Sequence, residues 1–158
     1  MRSNEVFAKM SAEDAAAWFE ELRDELPAAA GIALGAASEA FKLRRQYLSR
    51  QPRAKQAEWV RRALSRPGNA SAAEEILASY FLDVHEDLVK ELLDLFEIKH
   101  EDGRLEEADP AQPSKQQLVT ALEKFRAGQE EELRELLLCA FAAQSAIDWP
   151  DLEELLDP

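Results

Sequence analysis

The two histidines of the chain are the residues to examine first for metal or acid–base chemistry. His85 stands among the acidic residues Asp83, Glu86 and Asp87, a grouping typical of metal ligands. On a helix, however, a side chain shares its face with the residues three and four positions away, and here these are all apolar: Phe81, Leu82, Leu88 and Val89. None of them can bind a metal ion, so we predict no metal site.

Catalytic candidates are equally few. His100 beside Glu101 and Asp102 could act as a general base, and this is the basis of an enzyme hypothesis that we rank last, because such groups are common on solvated surfaces. Cys139 lies in an apolar run without a basic neighbour, which predicts an unreactive core thiol. Gly31 and Gly35 follow no strand and have no phosphate-binding lysine in register. We predict no catalytic residue and no cofactor.

Charge is the most unusual property of the sequence. The net charge is −13, yet residues 42–66 contain nine basic side chains and one acidic side chain. Residues 67–158 contain seven basic and twenty-three acidic ones. Positive charge concentrated on a helix and its preceding corner is the best candidate in the sequence for a surface that binds a partner or phosphate groups. The residues of this face are Arg44, Arg45, Arg50, Arg53, Lys55, Arg61, Arg62 and Arg66.

The sequence leaves several interpretations of this basic face open. The arginines could be solvated or pair with the acidic remainder of the chain or with a second copy, and this interpretation is favoured. A protein partner comes next. Nucleic acid or a membrane phosphate comes last, because the overall negative charge opposes long-range attraction, although Tyr47 and Trp59 could stack on single-stranded bases.

The C-terminal segment is a second candidate for binding. It combines five acidic residues with apolar side chains at helical spacing, an arrangement typical of elements that dock in a groove of another protein. These apolar residues are Trp149, Leu152, Leu155 and Leu156. The same pattern also suits a segment that folds back over its own bundle, and we favour that alternative.

Hydrophobic periodicity indicates the helices that position these groups. Residues 133–147 are apolar in all directions, which predicts a central helix covered by its neighbours. A two-sided helix is predicted over residues 28–50, where Gly31, Gly35 and Ser38 form a stripe of small side chains that favours a tight helix crossing. Residues 71–99 fit one long helix or two abutting ones. Between residues 97 and 113 the pattern fails, and we favour an ordered loop over a short hairpin at Asp102-Gly103.

The composition bounds the fold. Strong helix formers dominate, while glycine (5) and proline (7) are scarce among the 158 residues. We predict an all-α chain, a single-domain bundle of about six helices over residues 1–158, with flexible ends at residues 1–10 and 157–158. No window has the length of a membrane span, and a single cysteine suits a reducing compartment, so we expect a cytoplasmic protein without membrane contact.

These patterns favour a non-catalytic protein–protein interaction module, such as a regulator, adaptor or inhibitor, that binds one partner or self-associates through charge-complementary surfaces. The main alternative is a nucleic-acid-binding protein using residues 42–66. Two further alternatives are an acidic mimic of nucleic acid and the enzyme based on His100.

Overall fold

The fold is all-α, as predicted. The computed structural model describes residues 1–157, and Pro158 lies outside the described residues. Ten α-helices account for most of this part of the chain: α1 (Ser3–Lys9), α2 (Ala12–Glu25), α3 (Pro27–Phe41), α4 (Arg45–Arg50), α5 (Arg53–Leu64), α6 (Ala70–Val84), α7 (Glu86–Leu95), α8 (Lys115–Arg126), α9 (Glu131–Ala142) and α10 (Pro150–Leu156). A 3-10 helix at Pro67–Asn69 leads into α6.

The chain forms two compact units, each with its own core. The N-terminal unit is Arg2–Tyr80, and the C-terminal unit is Met1 together with Phe81–Pro158. In the N-terminal unit, Trp18 lies 5.0 Å from the ring of Phe7 and 6.3 Å from that of Tyr80, measured between ring centroids. In the C-terminal unit, Phe96, Phe141 and Trp149 contact one another, each pair of centroids being 5.4 Å apart.

The helices outnumber the six expected because several predicted segments are broken. The helix predicted over residues 28–50 ends at Phe41, since Lys42 adopts a left-handed conformation with φ 53° that no helix continues. The pattern at 71–99 is divided at His85, where φ −125° and ψ 40° leave the helical region. The central helix ends at Ala142 rather than at residue 147, although Ile147 is still buried.

Two predictions about irregular segments are corrected. Residues 1–10 were expected to be a flexible end, but Ser3–Lys9 is helical because Val6 and Phe7 have apolar side chains that the core of the N-terminal unit buries. The favoured ordered loop is replaced at His100–Leu105 by a short antiparallel hairpin. Asp102 and Gly103 both have positive φ, at 51° and 83°, as a tight hairpin turn requires. The flexible end at 157–158 falls partly on Pro158, outside the described residues.

Among residues 1–157, none of the helices is both long enough and apolar enough to cross a membrane.

Candidate interaction surface

The basic face predicted from residues 42–66 extends over α4 and α5, and a buried glutamine holds these two helices together. The Gln56 amide donates to the carbonyl oxygens of Ser49 and Gln51, at 3.2 and 3.0 Å, where α4 ends. Its own oxygen accepts a hydrogen bond of 2.7 Å from Arg23 of α2. Because buried polar groups are costly to leave unpaired, these bonds fix the corner between the two helices.

Two of the eight predicted basic residues are paired with carboxylates of the N-terminal unit. Arg53 lies 3.3 Å from Glu20 and 3.8 Å from Asp24. Arg61 donates two hydrogen bonds to Glu58, at 2.9 and 2.6 Å, and these bonds hold the pKa of the Glu58 carboxyl below its ordinary value. Arg62 lowers the same pKa further through its charge. Internal pairing therefore accounts for only part of the basic face.

The other six basic side chains are exposed and make no ion pair with any residue in the described part of the chain. They are Arg44, Arg45, Arg50, Lys55, Arg62 and Arg66. They come from one short stretch of chain, residues 44–66, that contains the two joined helices α4 and α5.

Aromatic rings hold two of these arginines in place. Phe41 and Trp59 lie with their ring centroids 4.8 Å apart. The guanidinium carbon of Arg62 is 5.1 Å from both centroids, and that of Arg66 is 4.5 Å from the centroid of Phe41. Arg66 also donates a hydrogen bond of 2.8 Å to the carbonyl oxygen of Ala40. We call these four residues, Phe41, Trp59, Arg62 and Arg66, the arginine–aromatic cluster.

Arg45 lies against the stripe of small residues on α3. A Cβ placed on Gly35 would be 3.2 Å from one terminal nitrogen of Arg45, and one placed on Gly31 would be 3.7 Å from the other. No helix backbone comes as close to these glycines among the described residues, so the predicted tight helix crossing is wrong. Glycine leaves room there for a guanidinium group.

Apolar side chains accompany the charge. Ile32 and Tyr47 are the two large hydrophobic residues that the described part of the chain leaves exposed, at 65% and 49%. Ile32 follows Gly31 in α3, and Tyr47 stands two residues after Arg45 in α4. Arginine and tyrosine with nearby apolar groups form the composition that is enriched in protein interfaces.

The predicted partner-docking segment at the C-terminus packs inward instead. Trp149 is 2% exposed and Leu152 fully buried, and the indole N–H of Trp149 donates to the carbonyl oxygen of Pro110 at 2.8 Å. Leu155 and Leu156 are half-buried. A docking role is therefore wrong for Trp149 and Leu152, whose burial stabilises the C-terminal unit. The alternative of a segment folded back over its own core describes the structure.

No sequence pattern singled out Arg134, which lies within the segment 133–147 that was predicted as an apolar central helix. Its side chain is buried, and it donates to both carboxylate oxygens of Glu91, at 2.8 and 3.1 Å. Two further bonds go to the carbonyl oxygens of Phe125 and Gln129, at 2.9 and 2.7 Å. Every acceptor comes from the C-terminal unit, so Arg134 holds α7, α8 and α9 of that unit together.

His100 and Cys139 are the remaining residues that the sequence offered for chemistry. Nε2 of His100 lies 2.7 Å from a carboxylate oxygen of Asp94, while Nδ1 accepts a hydrogen bond of 3.1 Å from the N–H of Gly103. One ring nitrogen of His100 thus contacts α7, and the other binds the backbone of the hairpin turn. Cys139 is half-buried rather than fully buried as predicted. In the described residues, no three His, Cys, Asp or Glu side chains are grouped to hold a metal ion.

The chain matches no protein-family model, no curated protein and no solved structure.

Proposed function

We propose that this chain is a non-catalytic protein-interaction module that binds one partner through the basic face of its N-terminal unit. The observation that carries the proposal is the group of six exposed basic side chains without ion-pair partners among the described residues. Complementary charge accelerates encounter and selects among partners, so the complementary surface would be acidic. A cytoplasmic location and a regulatory or adaptor role belong to this proposal.

The local charge distribution supports such a face in spite of the overall charge of −13. Residues 2–80 contain twelve basic and eleven acidic side chains, whereas residues 81–158 contain seven and twenty-one. The excess negative charge thus belongs to the C-terminal unit. Moderate salt largely screens exposed charges beyond about 10 Å, so the charges nearest to the basic face decide what approaches it.

Exposed apolar groups favour a protein over a nucleic acid as the partner. Ile32, which follows Gly31 in α3, has no role in contacting phosphates, whereas exposed apolar, arginine and tyrosine side chains are ordinary interface composition.

The test is affinity purification from the native host, with and without nuclease, followed by measurement of the purified complex. The face variant is Arg44→Glu/Arg50→Glu/Lys55→Glu. Its control, Lys99→Glu/Arg104→Glu/Lys124→Glu, changes the net charge equally at exposed sites of the C-terminal unit. We expect a nuclease-resistant, stoichiometric protein complex that the wild type and the control form and the face variant does not.

Two outcomes would reject the proposal. Retention of the same partner by the face variant would show that the basic face is not the binding surface. Loss of the bound material after nuclease treatment, with affinity that falls steeply as salt rises, would identify nucleic acid as the ligand. Thermal unfolding of both variants checks that the fold is intact.

A further inference from the structure

Arg62 has an unusual combination of fixed position and unused hydrogen-bonding capacity. Its guanidinium carbon is equally distant, at 5.1 Å, from the centroids of Phe41 and Trp59. Its guanidinium group donates no hydrogen bond within the described part of the chain. A guanidinium carries five N–H donors, and no acceptor in the described part of the chain uses those of Arg62. Attraction to the two rings therefore restrains the position of the group while its donors remain available.

Arg66 adds a second oriented cation to the same cluster. Like Arg62, it contacts the ring of Phe41, and it donates one hydrogen bond to the carbonyl oxygen of Ala40. The neighbouring acidic side chain, Glu58, is already engaged by both donors of Arg61. The cluster thus presents two guanidinium groups that have no carboxylate partner among the described residues, and Glu58, whose pKa Arg62 lowers, is paired with Arg61.

We infer that the arginine–aromatic cluster is a carboxylate-binding anchor that takes the acidic side chains of a protein partner, Arg62 binding one carboxylate through two parallel N–H donors and Arg66 a second. This inference rests on the proposed function and names the chemistry of its partner. Bidentate pairing matches the planar fork of arginine to the two oxygens of a carboxylate. Groups that are oriented before binding lose less entropy when the complex forms.

The anchor differs from the remainder of the basic face because it depends on the shape of the guanidinium group as well as on its charge. Lysine keeps the positive charge but offers a point charge on a flexible stem, without a planar fork or a stacking face. The double variant Arg62→Lys/Arg66→Lys therefore removes the anchor and conserves the net charge. The matched control is Arg2→Lys/Arg104→Lys, which makes the same exchange at exposed arginines that lie outside the basic face and have no ring contacts.

The experiment measures the affinity of the full chain for a fluorescein-labelled oligoglutamate peptide at low salt, by fluorescence anisotropy. We expect the anchor variant to bind about tenfold more weakly than the wild type, the equivalent of losing charge-assisted hydrogen bonds at two sites. The control variant should bind within about twofold of the wild type. Oligoglutamine of equal length should not bind.

Each other result overturns the inference in a recognisable way. Equal affinity of the anchor variant and the wild type, with loss of binding in the Arg44→Glu/Arg50→Glu/Lys55→Glu face variant, would reject the anchor and leave the proposed function in place. Absence of oligoglutamate binding would reject the anchor even if a natural partner is captured through the basic face. Tighter binding of single-stranded DNA than of oligoglutamate would identify phosphate as the preferred ligand.

Discussion

Arg62 and Arg134 both lie over a phenylalanine ring, yet the two units of the chain use them in opposite ways. The guanidinium carbon of Arg134 is 4.7 Å from the ring of Phe125, close to the 5.1 Å that separates Arg62 from Phe41. Arg134 is 9% exposed and donates four hydrogen bonds to the C-terminal unit. Arg62 is exposed, and its guanidinium donates none to the described residues.

The difference shows that contact with a ring does not by itself reveal the role of an arginine. What distinguishes the two residues is where their N–H donors go. A buried guanidinium is tolerated only when its donors are satisfied, so the bonds of Arg134 are conditions of folding. An exposed guanidinium exchanges its donors with water at little cost, so those of Arg62 are available for a ligand.

Replacing each arginine by methionine should give the largest difference between them in the free energy of unfolding. Arg134→Met removes the donor of Glu91 and of the carbonyl oxygen of Gln129, while the carbonyl oxygen of Phe125 keeps its bond from the N–H of Gly128. We expect the free energy of unfolding to fall by about 3 kcal/mol. This value is at the lower end for a buried pair, because the Glu91 side chain is 42% exposed and water can reach it. Arg62→Met should cost less than about 1 kcal/mol. Urea denaturation followed by circular dichroism compares the two, and similar costs would contradict the distinction.

A smaller effect comes from the space beside Arg134. A Cβ added at Gly128 would lie 2.2 Å from the guanidinium carbon of Arg134, so this side chain would have to move away from Glu91. We expect Gly128→Ala to lower the free energy of unfolding by about 1–2 kcal/mol. Gly68→Ala is the matched control, since nothing lies within 4 Å of its added Cβ, and it should stay within about 0.5 kcal/mol of the wild type.

A double-mutant cycle tests whether Gly128 acts through Arg134. In the Arg134→Met background the guanidinium is gone, so Gly128→Ala should cost clearly less than it does in the wild type. Full additivity of the two changes would mean that the alanine disturbs the backbone instead.

Local patterns in the sequence predicted the all-α fold and some helix termini. Serine is a favoured helix N-cap, and the side chain of Ser11 accepts a hydrogen bond of 3.0 Å from the N–H of Asp14 where α2 begins. Ser114 and Gln117 have the spacing of a capping box and form one at the start of α8. The end of the helix at Lys42 was not predictable, because the left-handed conformation favours glycine and lysine has no preference for it. Arg134 was missed because its carboxylate partner, Glu91, precedes it by 43 residues.

The candidate surface was predictable as a charge pattern but not as an arrangement. Counting charged side chains was enough to locate the basic face. Which of its residues form ion pairs with carboxylates, as Arg53 and Arg61 do, depends on how the helices fold and pack. Trp59 was considered only as a residue that could stack on bases. Its contact with Phe41, which lies 18 positions earlier in the sequence, follows from the packing of α3 and α5. The amphipathic pattern at Trp149 is the same for docking and for folding back, and the buried acceptor at Pro110 decides between them.

The smallest expected effect concerns Glu58, which separates the paired Arg61 from the unpaired Arg62. The bonds from Arg61 lower the pKa of Glu58 in the folded chain below the ordinary 4.5. The stability they provide is therefore present above that pH and is lost as the pH falls through the lowered folded value. We expect Glu58→Gln to reduce the free energy of unfolding by about 0.5 kcal/mol near neutral pH. The difference from the wild type should vanish in acid well below pH 4.5.

The same substitution sharpens the contrast at the binding surface. Without Glu58, Arg61 becomes a third available guanidinium beside Arg62, so the affinity for oligoglutamate should rise about threefold at low salt and return to the wild-type value at high salt. Glu75→Gln, an equal charge change at an exposed position of α6, controls for net charge and should leave the affinity unchanged. A weaker affinity in Glu58→Gln would instead mean that the carboxylate of Glu58 positions Arg61 for the ligand, so that Glu58 belongs to the anchor rather than competing with it.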